Sequence, residues 1–203
     1  MIYAVRYNDQ NITRKESVKL QKELSYSLLR HVVTEFCGRE PDFSDIKFRA
    51  HGKPYFKSLP IHYNITHTNG LVCLAVHDRE VGIDAETLRP YHERRTDRVC
   101  TAEEKAAIEA SPNKDLEFIK YWTLKESYVK YTGDGLGYGA KNAAFRYHEG
   151  GIAHIGSGTS VHQTVSEIEN TLYVVSVCSD GGFDHTWRRF PVESFRSAGN
   201  LPK

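Results

Sequence analysis

Residues 1–7 read as a strand of alternating pattern, the period expected when one face is buried in a sheet. The period then lengthens: Val18, Leu20, Leu24, Leu28, Val32, Val33 and Phe36 predict a long helix from about Glu16 to Phe36, closed by Gly38 and Pro41. A short strand is predicted at 46–49, running into a turn at 51–55 marked by Gly52 and Pro54. The runs 63–68 and 71–76 flank Asn69-Gly70, a strong hairpin signal, and a polar turn at 78–80 leads into another strand at 81–86. Thr101-Ala-Glu-Glu104 has the form of a capping box, and its helix runs through Ala107 and Ile108 until Ser111-Pro112-Asn113 breaks it. A further helix begins after Lys114 or Asp115, with Phe118, Ile119, Trp122 and Val129 at helical spacing and Gly133 as its stop. Strands are expected at 143–147, 159–167 and 172–178, whereas the tail from Phe183, with Trp187-Arg188-Arg189, has no legible pattern.

The order strand, long helix, strands occurs twice, from Met1 and again from near Val81. This predicts an α+β fold of two halves in tandem, residues 1–80 and 81–203, each with antiparallel strands packed on a helix. A seam near 78–82 is a natural place for a ligand, because sites favour the interface between halves.

The chain of 203 residues is long enough to bury a sizeable core, and its net charge of +1 provides no global basic field for nucleic acid. The four cysteines, Cys37, Cys73, Cys100 and Cys178, form no C-x-x-C pair, and they read as reduced thiols of a cytoplasmic protein. No apolar run approaches the roughly 18 residues of a membrane span, and no secretory leader pattern is present. None of the ten histidines forms an H-x-x-x-H or H-E-x-x-H pair, so a histidine metal centre is not expected.

Chemistry collects at two places. On the helix that holds Trp122, residues four apart stack, so Trp122, Glu126 and Lys130 form a column with Lys125 beside it. Taken alone, that column describes a solvated Glu126–Lys130 ion pair. Asp84 and Glu86, two apart in a partly buried strand, point to one face and repel unless a cation stands between them. Hard oxygen ligands without His or Cys favour Mg²⁺, with Glu126 able to supply a third carboxylate. Lys53, Lys125, Lys130 and His67 are the complementary groups suited to phosphate, which together describes phosphoryl chemistry.

The segment Val81-Gly82-Ile83-Asp84-x-Glu86, followed by Trp122-Thr-x-Lys125-Glu126-Ser127-x-x-Lys130 and Gly133-x-Gly135-Leu136, resembles the signature of the 4'-phosphopantetheinyl transferases. Gly52-Lys53-Pro54 and Asn64-Ile65-Thr66-His67-Thr68 resemble two further motifs of the surfactin-type, two-half branch. The resemblance implies Mg²⁺-dependent transfer (Mn²⁺ being the alternative metal) of the phosphopantetheine arm of coenzyme A to a serine of an apo acyl or peptidyl carrier protein, with release of adenosine 3',5'-bisphosphate. It also implies a pseudo-dimer of two similar α+β halves, working as a monomer, with coenzyme A in the cleft between them.

By position, the resemblance makes Asp84 and Glu126 metal ligands, with Glu86 a third ligand or a near neighbour. It makes Glu126 the base toward the carrier serine and Lys130 the cation for the leaving pyrophosphate. Lys53 would lie near the adenine and 3'-phosphate, Thr66 and His67 would bind phosphate oxygens, and Lys125 would be a phosphate contact or a solvated neighbour. Thr stands where Ser is usual in two motifs, and the early basic segment for the 3'-phosphate is short, leaving Arg14, Lys15, Lys19, Lys22 and Arg30 unranked. The rival readings are an inert carrier-protein or nucleotide-binding module of the same fold, and a Mg²⁺-dependent phosphohydrolase or kinase. The second lacks a P-loop or D-F-G segment.

Overall fold

The computed structural model describes residues 1–135 and 139–196. Leu136, the last residue of the glycine-rich motif, lies outside the described residues. The strands are β1 (Ile2–Arg6), β2 (Ile46–Phe48), β3 (Pro54–Phe56), β4 (His62–Thr68), β5 (Leu71–His77), β6 (Val81–Thr87), β7 (Phe145–His148), β8 (Gly151–His154), β9 (Ser160–Ile168), β10 (Thr171–Ser179) and β11 (Trp187–Pro191). The helices are α1 (Arg14–Cys37), α2 (Glu93–Val99), α3 (Ala102–Ala110), α4 (Lys114–Thr132) and α5 (Glu193–Arg196).

Two sheets form the centre. One has the order β11-β1-β5-β4 and the other β6-β10-β9, with β2–β3 and β7–β8 as separate two-stranded ribbons. Strand alternation sorts the side chains into layers. Tyr3, Val5, Val72, Leu74 and Val76 join Leu24, Leu28, Leu29, Val32 and Val33 of α1 on the outer face of the first sheet. Ile2, Ala4, Leu71, Cys73 and Ala75 meet Val81, Ile83, Ala85, Tyr173, Val175 and Val177 between the sheets. Val174 and Cys178 turn outward onto Phe118, Ile119, Leu124 and Tyr128 of α4. The order helix, sheet, sheet, helix follows, each fully buried aliphatic side chain contributing about 1.5–3 kcal/mol.

The helix ends obey local chemistry. Thr13 with Glu16, and Thr101 with Glu104, form complete capping boxes, while Gly38 and Gly133 close α1 and α4 in the left-handed region. The hairpin about Asn69-Gly70 pairs β4 with β5 as expected.

Four elements depart from expectation. Strand β3 lies within and just beyond the predicted turn at 51–55; its hydrogen-bonded partner is β2. Helix α2 and strand β8 were not expected, since neither has a periodic apolar face. The tail from Phe183 supplies β11, which pairs in parallel with β1, so the first sheet takes its fourth strand from the far end of the chain.

All four cysteines are free. Among the described residues, no helix is long and apolar enough to cross a membrane.

Candidate active site at the seam of the two sheets

Strands β4 and β6 are the facing edges of the two sheets, and β4 side chains satisfy β6 backbone groups that would otherwise be unpaired. Asn64 Oδ1 accepts from the Ile83 amide at 3.0 Å, and Thr66 Oγ1 accepts from the Ala85 amide at 3.3 Å. Asn64, Thr66 and Thr68 are therefore held against β6, with Thr66 donating to Asp84 Oδ1 at 3.1 Å and Thr68 to Glu86 at 3.1 Å.

Helix α4 reaches this seam because Gly82 has no side chain. A Cβ there would run into Ser127 O and the backbone of Tyr131, so helix and strand are in direct backbone contact. The close approach brings Lys130 Nζ to 2.6 Å from Asp84 Oδ1 and 3.3 Å from Thr66 Oγ1. Asp84 is 5% exposed, and its Oδ2 is buried without a hydrogen-bond partner.

Glu126 makes no hydrogen bond or ion pair among the described residues. Burial first, and then the charge of Asp84, push its carboxyl above the ordinary carboxylate range, with Lys130 opposing. Glu86 is also pushed up, by burial and then by Asp84, although Arg89 and Thr68 engage it. The Asp84, Glu86, Thr66 and Lys130 side chains thus converge, with Glu126 close enough to feel both acids and the cation.

Three of the expected residues have other surroundings. Lys125 is fully buried on the far side of α4, 2.7 Å from Glu104 Oε2 and donating to the carbonyls of Ala140 and Ala143 at 3.1 and 2.6 Å. Facing the ribbon side rather than the seam, it has no route to a phosphate. The ammonium of Lys53 is committed as well, to Glu80 Oε2 at 2.6 Å, Val81 O at 3.1 Å and Tyr131 O at 2.7 Å. It ties the β2–β3 ribbon, the start of β6 and the end of α4 together. Burial pushes Glu80 up, but Lys53, Arg49 and His62 together hold it below its ordinary value.

His67 points from β4 to the face opposite Thr66, and burial and then Lys130 lower its pKa. It lines an apolar groove of about 430 Å³ with Lys22, Tyr26, Phe48, Pro54 and Ile65, and also an adjoining polar cavity of about 400 Å³ that includes Arg14 and Arg89. Sequence reasoning left five cations unranked for an anionic end of a ligand, and the two cavities single out Lys22 and Arg14. On the other side of the seam, a cavity of about 230 Å³ is lined by His51, Lys53, Asn64, Glu126, Lys130, Gly133 and Gly135.

The resemblance implies a divalent cation, and the donors can be tested for it. Among the described residues, no three His, Cys, Asp or Glu side chains stand at metal-holding spacing, so the expected triad of Asp84, Glu86 and Glu126 does not converge as a preformed cage. Mg²⁺ needs only one or two carboxylates when phosphate oxygens and water complete its octahedron. The orphaned Asp84 Oδ2 and the unengaged Glu126 are hard donors that fit this requirement. Glu86 is less available, since Thr68 and Arg89 hold it.

Fold and seam together define an α+β protein with a carboxylate–lysine site between two sheets. Residues 80–178 match the family model of the 4'-phosphopantetheinyl transferase superfamily. The chain is 31% identical over 129 residues to 4'-phosphopantetheinyl transferase psf-1 of Bacillus pumilus, covering 62% of this chain and 55% of that protein. It is 33% identical over 120 residues to 4'-phosphopantetheinyl transferase Sfp of Bacillus subtilis strain 168, covering 56% and 53%. Among solved structures, holo-[acyl-carrier-protein] synthase from Neisseria meningitidis aligns with a TM-score of 0.40 and 18% identity, over 50% of this chain and 98% of that one. The chain spans about half the length of the curated relatives it matches. Asp84, Glu86, Lys125, Glu126 and Lys130 fall inside the matched family segment, whereas Lys53, Thr66 and His67 precede it.

Proposed function

We propose that the protein is a 4'-phosphopantetheinyl transferase of holo-carrier-protein synthase type, moving the phosphopantetheine arm of coenzyme A onto a serine of an acyl or peptidyl carrier protein. The observation that carries the reading is the Asp84–Lys130 pair beside an unengaged Glu126: a carboxylate with a free buried oxygen, a cation and a candidate base in one seam. The family match over 80–178 and the names of the relatives support it.

In this reading Asp84 and Glu126 would hold Mg²⁺, which would supply charge neutralisation to the pyrophosphate when bound. Glu126 takes the serine proton, directly or through water, as the serine oxygen bonds to the phosphorus that bears the pantetheine. The bond from that phosphorus to the bridging oxygen breaks, and adenosine 3',5'-bisphosphate leaves with the electron pair. Lys130, shared between Asp84 and Thr66, stabilises the charge that builds on this leaving group.

The apolar groove beside His67 suits the adenine, with Lys22 and Arg14 at hand for the 3'-phosphate. Both walls of the site come from one chain, in keeping with a monomer, and four free thiols are in keeping with the cytoplasm.

The test is to incubate the protein with apo acyl and apo peptidyl carriers, coenzyme A and Mg²⁺, and to weigh the carriers. The expected result is a gain of one phosphopantetheine, abolished by chelator and by Glu126→Gln. Coenzyme A binding with no gain on any carrier would overturn the transferase in favour of an inert binding module.

A further inference from the structure

Helix α4 is fastened to its sheet by polar groups as well as by apolar contact. Thr123 and Ser127 of the helix, and Ser176 and Cys178 of β10, are all fully buried. Thr123 Oγ1 lies 2.8 Å from Ser176 Oγ, and one turn further along Ser127 Oγ lies 3.3 Å from Cys178 Sγ. Gln163 of β9 reaches over β10 to the first of these points. Its Nε2 donates to Ser176 Oγ at 2.8 Å, to Lys120 O at 2.9 Å and to Thr123 Oγ1 at 3.3 Å, while its Oε1 accepts from Tyr147 OH at 2.7 Å. Lys120 O also accepts from Thr123 Oγ1 at 3.1 Å. A carbonyl can only accept, so the amide nitrogen must face the helix, and the ring of Gln163, Ser176, Thr123 and Lys120 O closes with its donors used.

This ring shares a row with the candidate site. In register across the second sheet, Gln163 pairs with Ser176 and Ser176 pairs with Asp84. Directly paired residues point to one face, so the row that grips α4 through its first two members offers Asp84 to Lys130 through its third. On the helix, Glu126 and Lys130 each follow an anchor, Thr123 or Ser127, by three residues, close to one turn.

Apolar contact is non-directional and tolerates a helix that turns or slides, whereas hydrogen bonds are directional. A slip of one residue would rotate every side chain of α4 by about 100° and carry Glu126 away from the seam. It would also strand the buried hydroxyls and the amide without partners, which is costly. Gln163 itself lines none of the three cavities around the seam.

We propose that Gln163, acting through Ser176 and Thr123, is a positioning residue for transfer, fixing the rotation of α4 so that Glu126 and Lys130 face Asp84. This inference rests on the transferase reading. Because Gln163 is outside the cavities assigned to coenzyme A, its loss acts on the chemical step and leaves binding of that substrate intact.

The experiment measures kcat and KM for coenzyme A with an apo carrier in Gln163→Leu, Thr123→Val and Thr123→Ser. Each protein is assayed at the same interval below its own melting temperature. Val33→Ala, a core change under α1, shows what a loss of stability alone does. The expected result is a fall in kcat of about tenfold to a hundredfold for Gln163→Leu, with KM for coenzyme A unchanged. Thr123→Val should fall in the same way, Thr123→Ser should keep the wild-type rate because it keeps the hydroxyl, and Val33→Ala should keep it too. If Gln163→Leu does not fold, the near-isosteric Thr123→Val against Thr123→Ser carries the test. Wild-type kcat in folded Gln163→Leu or Thr123→Val, a change confined to KM, or an equal loss in Val33→Ala would overturn the positioning role alone. A wild type that loads no carrier would overturn the transferase reading, and the positioning role with it.

Discussion

Lys130 pairs with Asp84 across the seam, 2.6 Å from Oδ1, and not with Glu126 one turn back on its own helix. The i,i+4 spacing that describes a surface pair is overruled by a buried acid on the opposing sheet. Lys130 thereby neutralises the same carboxylate whose other oxygen is free for a cation. Lys130→Met should therefore lose transfer and yet bind Mg²⁺ more tightly, on the order of tenfold, because a positive charge next to the metal position is gone. The measurement is the rise in melting temperature on adding MgCl₂, which should be larger in the variant. A smaller rise than in wild type would show that Lys130 does not compete for Asp84.

Lys125 stands five positions before Lys130 and should behave in the opposite way. Its ammonium is fully buried on Glu104, which in turn accepts from the Thr101 and Phe145 amides at 2.8 and 2.9 Å. Lys125→Met leaves that carboxylate buried and uncompensated, a loss of about 3–5 kcal/mol. Denaturant unfolding should register this, while KM for coenzyme A in the folded fraction stays near wild type. A large KM effect with little loss of stability would return Lys125 to the site.

The contrast between these two lysines marks how far local pattern reaches. Period-2 alternation was enough to put Asp84 and Glu86 on one face, and capping chemistry was enough to start α3, whereas the Thr13–Glu16 box that starts α1 went unread. It could not say which lysine of α4 faces the seam, because that depends on partners far away in sequence: Asp84 for one, Glu104 for the other. A retrospective signal existed for Lys125, which follows Leu124 and lies on the helix face that packs toward α3. Helix α2 was illegible because Glu-Arg-Arg-Thr-Asp-Arg-Val has no apolar period, only Thr96 being buried within it. Strand β11 was illegible because its reason for being a strand is a parallel partner, β1, at the other end of the chain. The tethering of Lys53 by Glu80, Val81 and Tyr131 likewise needs three segments that only the fold assembles.

Gly82 gives a third prediction. Its missing side chain lets α4 lie on β6, so Gly82→Ala must displace backbone atoms of Ser127 and Tyr131 rather than a yielding side-chain end. A loss of about 1–3 kcal/mol is expected from overpacking of this kind. Because the displaced turn carries Lys130, the Asp84 pair should open as well. Transfer should therefore fall further than stability alone explains, and activity measured well below the melting transition checks this. Wild-type activity in a merely less stable protein would show that the close approach serves packing only.

The last prediction concerns acid. His154 is 7% exposed, stacked on Tyr128 at 3.9 Å and met edge-on by Phe145 at 5.1 Å. Its Nδ1 is 2.8 Å from Ser157 Oγ, and its Nε2 is buried with no partner. Burial, and then the nearby Lys125 charge, lower its pKa below the ordinary 6.5. Once pH falls below that ordinary value, the unfolded chain takes up a proton that the folded chain refuses. Stability that is fully present above it is then progressively lost, down to the depressed folded pKa. His154→Phe keeps the stack and removes the titration. Between about pH 7.5 and about pH 5.5, the melting temperature of wild type should fall more steeply than that of the variant, and the difference isolates His154 from the other lowered histidines, His67, His162 and His185. Parallel curves would mean that the imidazole accepts a proton in place, which the aromatic enclosure of its ring argues against.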